Sequence, residues 1–325
     1  MKSIGILTSG GDCPGMNACI AAIVGCARQE GYKTVGVLKG FHGLIEGNAM
    51  ELDERCVSGI AGRGGTILGT SRNGSLKAKL TSDNLALMFD RIGIDALIVL
   101  GGGGSISGAK AVADAGFPVI AIPCTIDNDI QGTDYTIGFD TACNHVIRAA
   151  NDITDTAESL EERVFLIETL GGDTGHIALA GAYAISGDAA LVPEVKYDLK
   201  YICNRIKVEM DAGKPYSMIV VAEGAGPAQD LARLIAELIG RRVRVTVLGH
   251  AQRGGSPTYW DRKISRKFGE MAVELLANGE TAAMTAMLGS SFVEVPLSVP
   301  VGSKKPLDLE TYNLVNKLSA ESGRV

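Results

Sequence analysis

Pro123-Cys124-Thr125-Ile126-Asp127-Asn128-Asp129 follows directly on the apolar run Val119-Ile120-Ala121-Ile122, which puts two carboxylates just past the end of a strand-like segment. Open α/β sheets gather their chemistry at that end of their strands. Held there beside an anionic ligand, Asp127 or Asp129 can take a proton from a hydroxyl or help carry a metal ion. The Asp-Asn-Asp triplet equally suits an Asx-turn or a helix N-cap, so other segments have to decide. One is Gly249-His250-Ala251-Gln252-Arg253-Gly254-Gly255-Ser256-Pro257. Its His, Gln and Arg can grip a phosphate and sugar hydroxyls together, with bidentate bonds from the guanidinium, or form a solvated loop. Glycine clusters around Gly11 and Gly103 each follow an apolar run. Glycine lets backbone N–H groups approach an anion at a helix N-terminus, although tight strand-to-helix turns use it too.

The elements that must position these groups recur as one unit: a short apolar run, a glycine cluster, then apolar residues at helical spacing. Residues 4–7 lead through 9–15 into a helix reaching Ala27, and 96–100 lead through 101–105 into a helix ending near Gly116. Residues 140–160 read as a long helix, 164–167 as a strand, 171–175 as a turn and 178–185 as a helix. The strand 218–222 ends at Glu223, and a helix over 228–240 precedes the strand 245–248. The stretch 304–325 reads as one amphipathic helix. This pattern predicts an α/β fold of two domains with a boundary near 140 and leaves open a return of the chain to the first.

The chain has 325 residues, 46% of them hydrophobic, and is long enough for a large core. Its net charge of −6 argues against nucleic-acid or membrane-surface partners, whose footprint is basic. Any anionic ligand must then be held by local arginines and backbone N–H groups. The seven cysteines are scattered without a CxxC pair and read as reduced structural thiols, with only Cys124 placed where reactivity could matter. No leader pattern opens the chain and no apolar run reaches about 18 residues, which points to the cytoplasm.

Five segments together carry a resemblance across nearly the whole length: LTSGGDCPGMN at 7–17, RGGTILGTSR at 63–72, PCTIDNDIQGTDYTIGFDTA at 123–142, PEV at 193–195 and VLGHAQRGGSP at 247–257. In them the chain resembles the bacterial-type ATP-dependent 6-phosphofructokinase family. The resemblance implies two Rossmann-like three-layer αβα domains facing across a cleft, the first over 1–139 plus about 252–305 and the second over 140–251 plus about 306–325. It implies transfer of the γ-phosphoryl group of ATP, with Mg2+, to the C1 hydroxyl of fructose 6-phosphate. It implies Asp127 as general base, with Asp129 beside it near the metal, and Thr125 and Ile126 lining the same spot. Gly11, Arg72, Asn73, Gly102, Gly103, Gly104 and Ser105 match nucleotide positions, with Arg72 meeting the phosphates. Leu170, Gly171, Gly172, Glu223, His250 and Arg253 match sugar-phosphate positions. Arg163 and Arg244 match arginines that reach a neighbouring subunit's site, which implies a homotetramer.

The departures are as informative. The family's turn is normally Gly-Gly-Asp-Gly-Ser, whose Asp helps hold magnesium, and Gly103 stands there instead. Gly172 occupies the place of an arginine expected to stabilise the transferring phosphoryl group. Loss of one such group can cost about 10²–10³ in rate. These gaps imply reduced activity and leave open a weakly catalytic paralog that binds sugar phosphate and associates with a motif-complete partner. Cys124 replaces the usual glycine, and pyrophosphate-using relatives carry lysine there and Asp in place of Gly104, so ATP is the expected donor and pyrophosphate the alternative. The family's effector arginines correspond to Ala21, Gly25, Glu54 and Thr154, leaving Lys214 among the expected basic groups, which predicts little response to ADP or phosphoenolpyruvate.

Overall fold

Six consecutive buried residues form β1 (Ser3–Thr8), and the same is true of β4 (Ala96–Gly101), while all five residues of β5 (Val119–Pro123) are buried as well. Unbroken apolar strands of this kind need cover on both faces, the condition of a parallel sheet with helices on either side. With β2 (Lys33–Val37), β3 (Ala49–Leu52), β10 (Ala283–Leu288) and β11 (Ser291–Pro296) they build a seven-stranded sheet in the order β11-β10-β5-β4-β1-β2-β3. Its five central strands are parallel and both edge strands antiparallel. The helices around it are α1 (Met16–Gln29), α2 (Gly40–Glu46), α3 (Ser82–Ile92), α4 (Gly103–Asp114) and α9 (Tyr259–Ala277). The computed structural model describes residues 1–71, 80–159 and 163–317. This sheet and its helices belong to a first unit, Met1–Thr141 with Arg253–Lys305.

The second unit, Ala142–Gln252 with Pro306–Val325, is built on a four-stranded parallel sheet. Its strands are β6 (Arg163–Thr169), β7 (Ala189–Leu191), β8 (Tyr216–Ala222) and β9 (Arg242–Val247), in the order β7-β8-β6-β9. Most of α5 (Phe139–Ser159), α6 (His176–Ala184), α7 (Leu199–Asp211), α8 (Ala228–Ile239) and α10 (Leu309–Val315) complete it.

Sheet order decides where a ligand can sit. In the first unit the chain steps from β1 to β2 and β3 on one side and to β4, β5 and β10 on the other. The crevice between the carboxyl ends of β1 and β4 is therefore a switch point. In the second unit β8 and β9 flank β6 on opposite sides, so the loops after these three strands converge.

The C-terminal stretch differs from the expected single helix. Pro306 cannot sit inside a helix without losing a hydrogen bond, and α10 starts only after Asp308, whose carboxylate caps it by accepting from Thr311 N at 3.0 Å and Thr311 Oγ1 at 2.7 Å. Upstream, Lys304 bridges to Ile130 and Lys305 N donates to Asp129 O at 3.0 Å. The segment 303–305 thus runs beside the acidic turn, and residues 318–325 lie outside the described residues.

Candidate active site

A cavity of about 580 Å³ opens in the first unit at its switch point. Gly10 and Gly11 from the turn after β1, Gly102, Gly103, Gly104 and Ser105 from the turn entering α4, and Cys124, Thr125, Asp127 and Asp129 from the turn after β5 all line it, as does Arg253. Glycine is required where these turns meet: a Cβ at Gly101 would lie 2.5 Å from Ser9 O and 2.4 Å from Ser105 Oγ. Gly102 stands before the first turn of α4, whose Ser105 N already donates to Gly102 O at 2.9 Å, so the N–H groups of Gly103 and Gly104 are the ones that can receive an anion at this end of the helix.

The acidic turn is held from within. Asn128 takes a left-handed backbone, φ 51°, a conformation its side chain tolerates better than most. Buried, it accepts from Thr136 N at 2.9 Å and donates to Asp134 O at 3.1 Å. The residues on either side of it, Asp127 and Asp129, both line the cavity. Asp127 N donates to Thr125 Oγ1 at 3.2 Å, closing a tight turn. Burial, reinforced by the Asp129 carboxylate, raises Asp127 from its ordinary value, while Arg253, Thr125 and Lys304 pull it back. That direction suits a proton acceptor working near neutrality. Lys304 Nζ stands 3.6 Å from Asp129 Oδ2, and Arg253 Nε lies 3.7 Å from Asp12 Oδ1.

Behind this turn Asp261, wholly buried on α9, accepts from Gly138 N and Thr141 N, both at 2.8 Å, and from the Thr141 hydroxyl. Burial nonetheless pushes its carboxyl up to about 6.

Several sequence expectations are revised by these positions. Cys124 is fully buried, its N–H donates to Gly101 O at 2.9 Å, and burial pushes its thiol well up, so it is a packing residue with little thiolate character. Ile126 is also buried, close to Gly138 and Cys13, and gives its side chain to the core. Arg72 and Asn73 lie outside the described residues. Phe41, Leu80 and Gly108 line the cavity although no local motif marks them, and Lys304 comes from a stretch to which the sequence assigned no role.

In the second unit Leu170, Gly171 and Gly172 form the turn after β6, and Gly224 N donates to Gly171 O at 3.1 Å. A Cβ at Gly172 would lie 3.6 Å from Glu223 Oε1. His250 is exposed on the 3-10 turn Gly249–Arg253 that follows β9. Gln252 does not belong to a ligand clamp: it is fully buried and spends both ends of its amide on the protein. Arg163 is the first residue of β6, at the opposite end from Leu170, and Arg244 pairs with Phe165 inside the sheet register. At about 3.3 Å per residue, Arg163 stands on the order of 20 Å from the turn after β6.

Lys214, the remaining basic residue of the expected effector group, is engaged, pairing with Asp188 and with Glu209 Oε2 at 3.3 Å. Among the described residues no three His, Cys, Asp or Glu side chains gather as a metal set, and no helix is long and apolar enough to cross a membrane. A cation here would rest on one or two carboxylates. That fits Mg2+, which keeps waters and substrate phosphate oxygens as its other ligands.

The model of the family described as "Phosphofructokinase" matches residues 3–276. The chain is 42% identical over 320 residues to the ATP-dependent 6-phosphofructokinase of Thermotoga neapolitana, spanning 98% of this chain and 100% of that protein. It is 43% identical over 319 residues to the ATP-dependent 6-phosphofructokinase of Clostridioides difficile, again across 98% and 100% of the two. A crystal structure of Pichia pastoris phosphofructokinase in the T-state matches with a TM-score of 0.83 and 29% identity, over 92% of this chain and 35% of that one. The pyrophosphate-dependent phosphofructokinase from Marinobacter aquaeolei matches with a TM-score of 0.85 and 22% identity over 95% and 86% of the chains, a likeness of fold alone.

Proposed function

This chain belongs to the phosphofructokinase family, and from that premise we propose that it transfers the γ-phosphoryl group of ATP to the C1 hydroxyl of fructose 6-phosphate. The observation that carries the reading is that Asp127, with its raised carboxyl, and Asp129 line one cavity with the N-terminus of α4. Asp127 accepts the C1 hydroxyl proton, the oxygen bonds to the γ-phosphorus, and the bond to the β-phosphate oxygen breaks to release ADP. Backbone N–H groups at 102–104 and the guanidinium of Arg253 hold phosphate charge, and Arg72 joins them on the strength of its motif. Asp129 would carry Mg2+, which offsets the charge of the phosphate oxygens when bound.

Glu223, His250 and the turn 170–172 hold the sugar phosphate in this reading. Arg163 is too far along β6 to join them within one chain, which supports a homotetramer in which Arg163 and Arg244 serve a neighbouring subunit. The apolar wall of Phe41 and Leu80 favours ATP over pyrophosphate, because pyrophosphate has no apolar part to cover it. The engagement of Lys214 favours an enzyme with little response to anionic effectors.

A second reading, a sugar-phosphate-binding subunit with little chemistry, is favoured by Gly103 and Gly172. A coupled assay for fructose 1,6-bisphosphate with fructose 6-phosphate, Mg2+ and either ATP or pyrophosphate separates the two. Turnover with ATP is expected. Turnover with pyrophosphate alone overturns the donor, and binding of fructose 6-phosphate without turnover from either donor favours the second reading.

A further inference from the structure

Gln252 is a fully buried polar side chain between the exposed His250 and the cavity-lining Arg253, and both ends of its amide are hydrogen-bonded. Oε1 accepts from Leu170 N at 2.7 Å and Nε2 donates to Ala142 O at 3.2 Å. The network sets the orientation, since the flipped amide would oppose donor to donor and acceptor to acceptor.

The partner at Leu170 matters because the 3-10 turn Gly249–Arg253 is tied to the end of β6 on either side of His250. Leu248 N donates to Glu168 O at 3.0 Å before it, and Gln252 holds Leu170 N after it. The turn that Gln252 grips continues to Gly171, whose carbonyl accepts from Gly224 N at 3.1 Å beside Glu223. One run of hydrogen bonds therefore links the loops that carry His250, Gly172 and Glu223. Gln252 enters that run through its side chain, whereas the Leu248–Glu168 and Gly224–Gly171 links are backbone to backbone.

We infer that Gln252 is a positioning residue for the sugar phosphate, holding the loop of His250 in register with the turn 170–172. The inference rests on the function proposed above. Without the amide, the buried N–H at Leu170 loses its partner, and the loop of His250 stays tied to the end of β6 on one side only, through Leu248 N and Glu168 O.

Asn316 provides a matched control in the same unit. It too is a fully buried amide, accepting from Ala190 N at 3.3 Å and donating to Ala190 O at 3.2 Å and Tyr312 O at 3.1 Å, and it holds α10 to β7. Gln252→Met and Asn316→Leu should both lower the urea midpoint. Gln252→Met alone should raise the KM for fructose 6-phosphate about tenfold, with the KM for ATP unchanged to within about twofold. Where Gln252→Met does not fold, Gln252→Leu, which also removes the acceptor for Leu170 N, is read in the same way. An unchanged sugar-phosphate KM in the folded variant, or an equal rise in Asn316→Leu, overturns the inference. Wild-type protein that neither turns over nor binds fructose 6-phosphate in calorimetry overturns the proposed function itself, and the inference with it.

Discussion

The turn after β5 and the turn after β6 both sit at the carboxyl end of a central parallel strand, yet they are built from opposite chemistry. The first crowds Asp127 and Asp129 into a cavity with Arg253 and Lys304 close by, and is backed by the buried carboxylate of Asp261. The second opens on Leu170, Gly171 and Gly172, which carry no charge, ahead of Asp173, and is backed by the neutral amide of Gln252. A turn that moves protons needs desolvated charge, and desolvated charge has to be held by further polar groups. A turn that only receives a ligand can be made of backbone and glycine, with neutral support. The contrast fits the proposed division of labour, chemistry at the first turn and binding at the second.

The largest effect should come from Asp127→Asn, which keeps the shape of the first turn and removes its proposed base. We expect kcat to fall about 10³-fold with both KM values little changed. A kcat within about tenfold of wild type in the coupled assay would break the assignment of chemistry to this turn.

Next in size is the return of charge to the positions that lack it. Neither Gly103 nor Gly172 has a left-handed backbone, and a Cβ at each meets only ordinary contacts, Ile130 Cδ1 at 3.7 Å and Glu223 Oε1 at 3.6 Å. Both sites therefore accept a side chain, and what is missing is chemical, not steric. Gly172→Arg should raise kcat about tenfold and the double change with Gly103→Asp about 10²-fold. No gain from either would mean that neighbouring cations already supply the charge.

The smallest effect concerns stability. Asp261 holds its proton up to about pH 6 when folded, against 3.8 for the ordinary carboxyl. Between these values the folded state binds a proton that the unfolded state has released, so stability falls as pH rises through this window. Asp261→Asn should remove about 2 kcal/mol of that decline, read from urea midpoints at about pH 4 and about pH 6. Gln252→Met should leave the slope intact, because the amide it removes does not titrate. A slope unchanged in Asp261→Asn would erase the distinction between the two supports.

Much of this was written locally in the chain. The buried strands 4–7, 96–100 and 119–122, the glycine turns after them and the acid pair at 127 and 129 are short-range signals, because backbone state depends on near neighbours and a doubly covered strand must be apolar throughout. The inward turn of Gln252 left no such trace. Its partners lie 82 and 110 residues away in sequence, and a glutamine flanked by histidine and arginine among glycines reads equally as a ligand group. Phe41 and Leu80 look like any core residues, and the helical pattern at 304–325 hid the segment that brings Lys304 to Asp129.

By itself, then, the sequence determined which segments become strands and turns, which charges stand at strand ends, and which family the motifs resemble. Only the tertiary structure decided which of those side chains face a cavity and which face the core, and which distant residues join them. The physical reason is that secondary structure follows from local periodicity and backbone preference, whereas the direction of a side chain is set by long-range packing and by the requirement that every buried polar group find a partner.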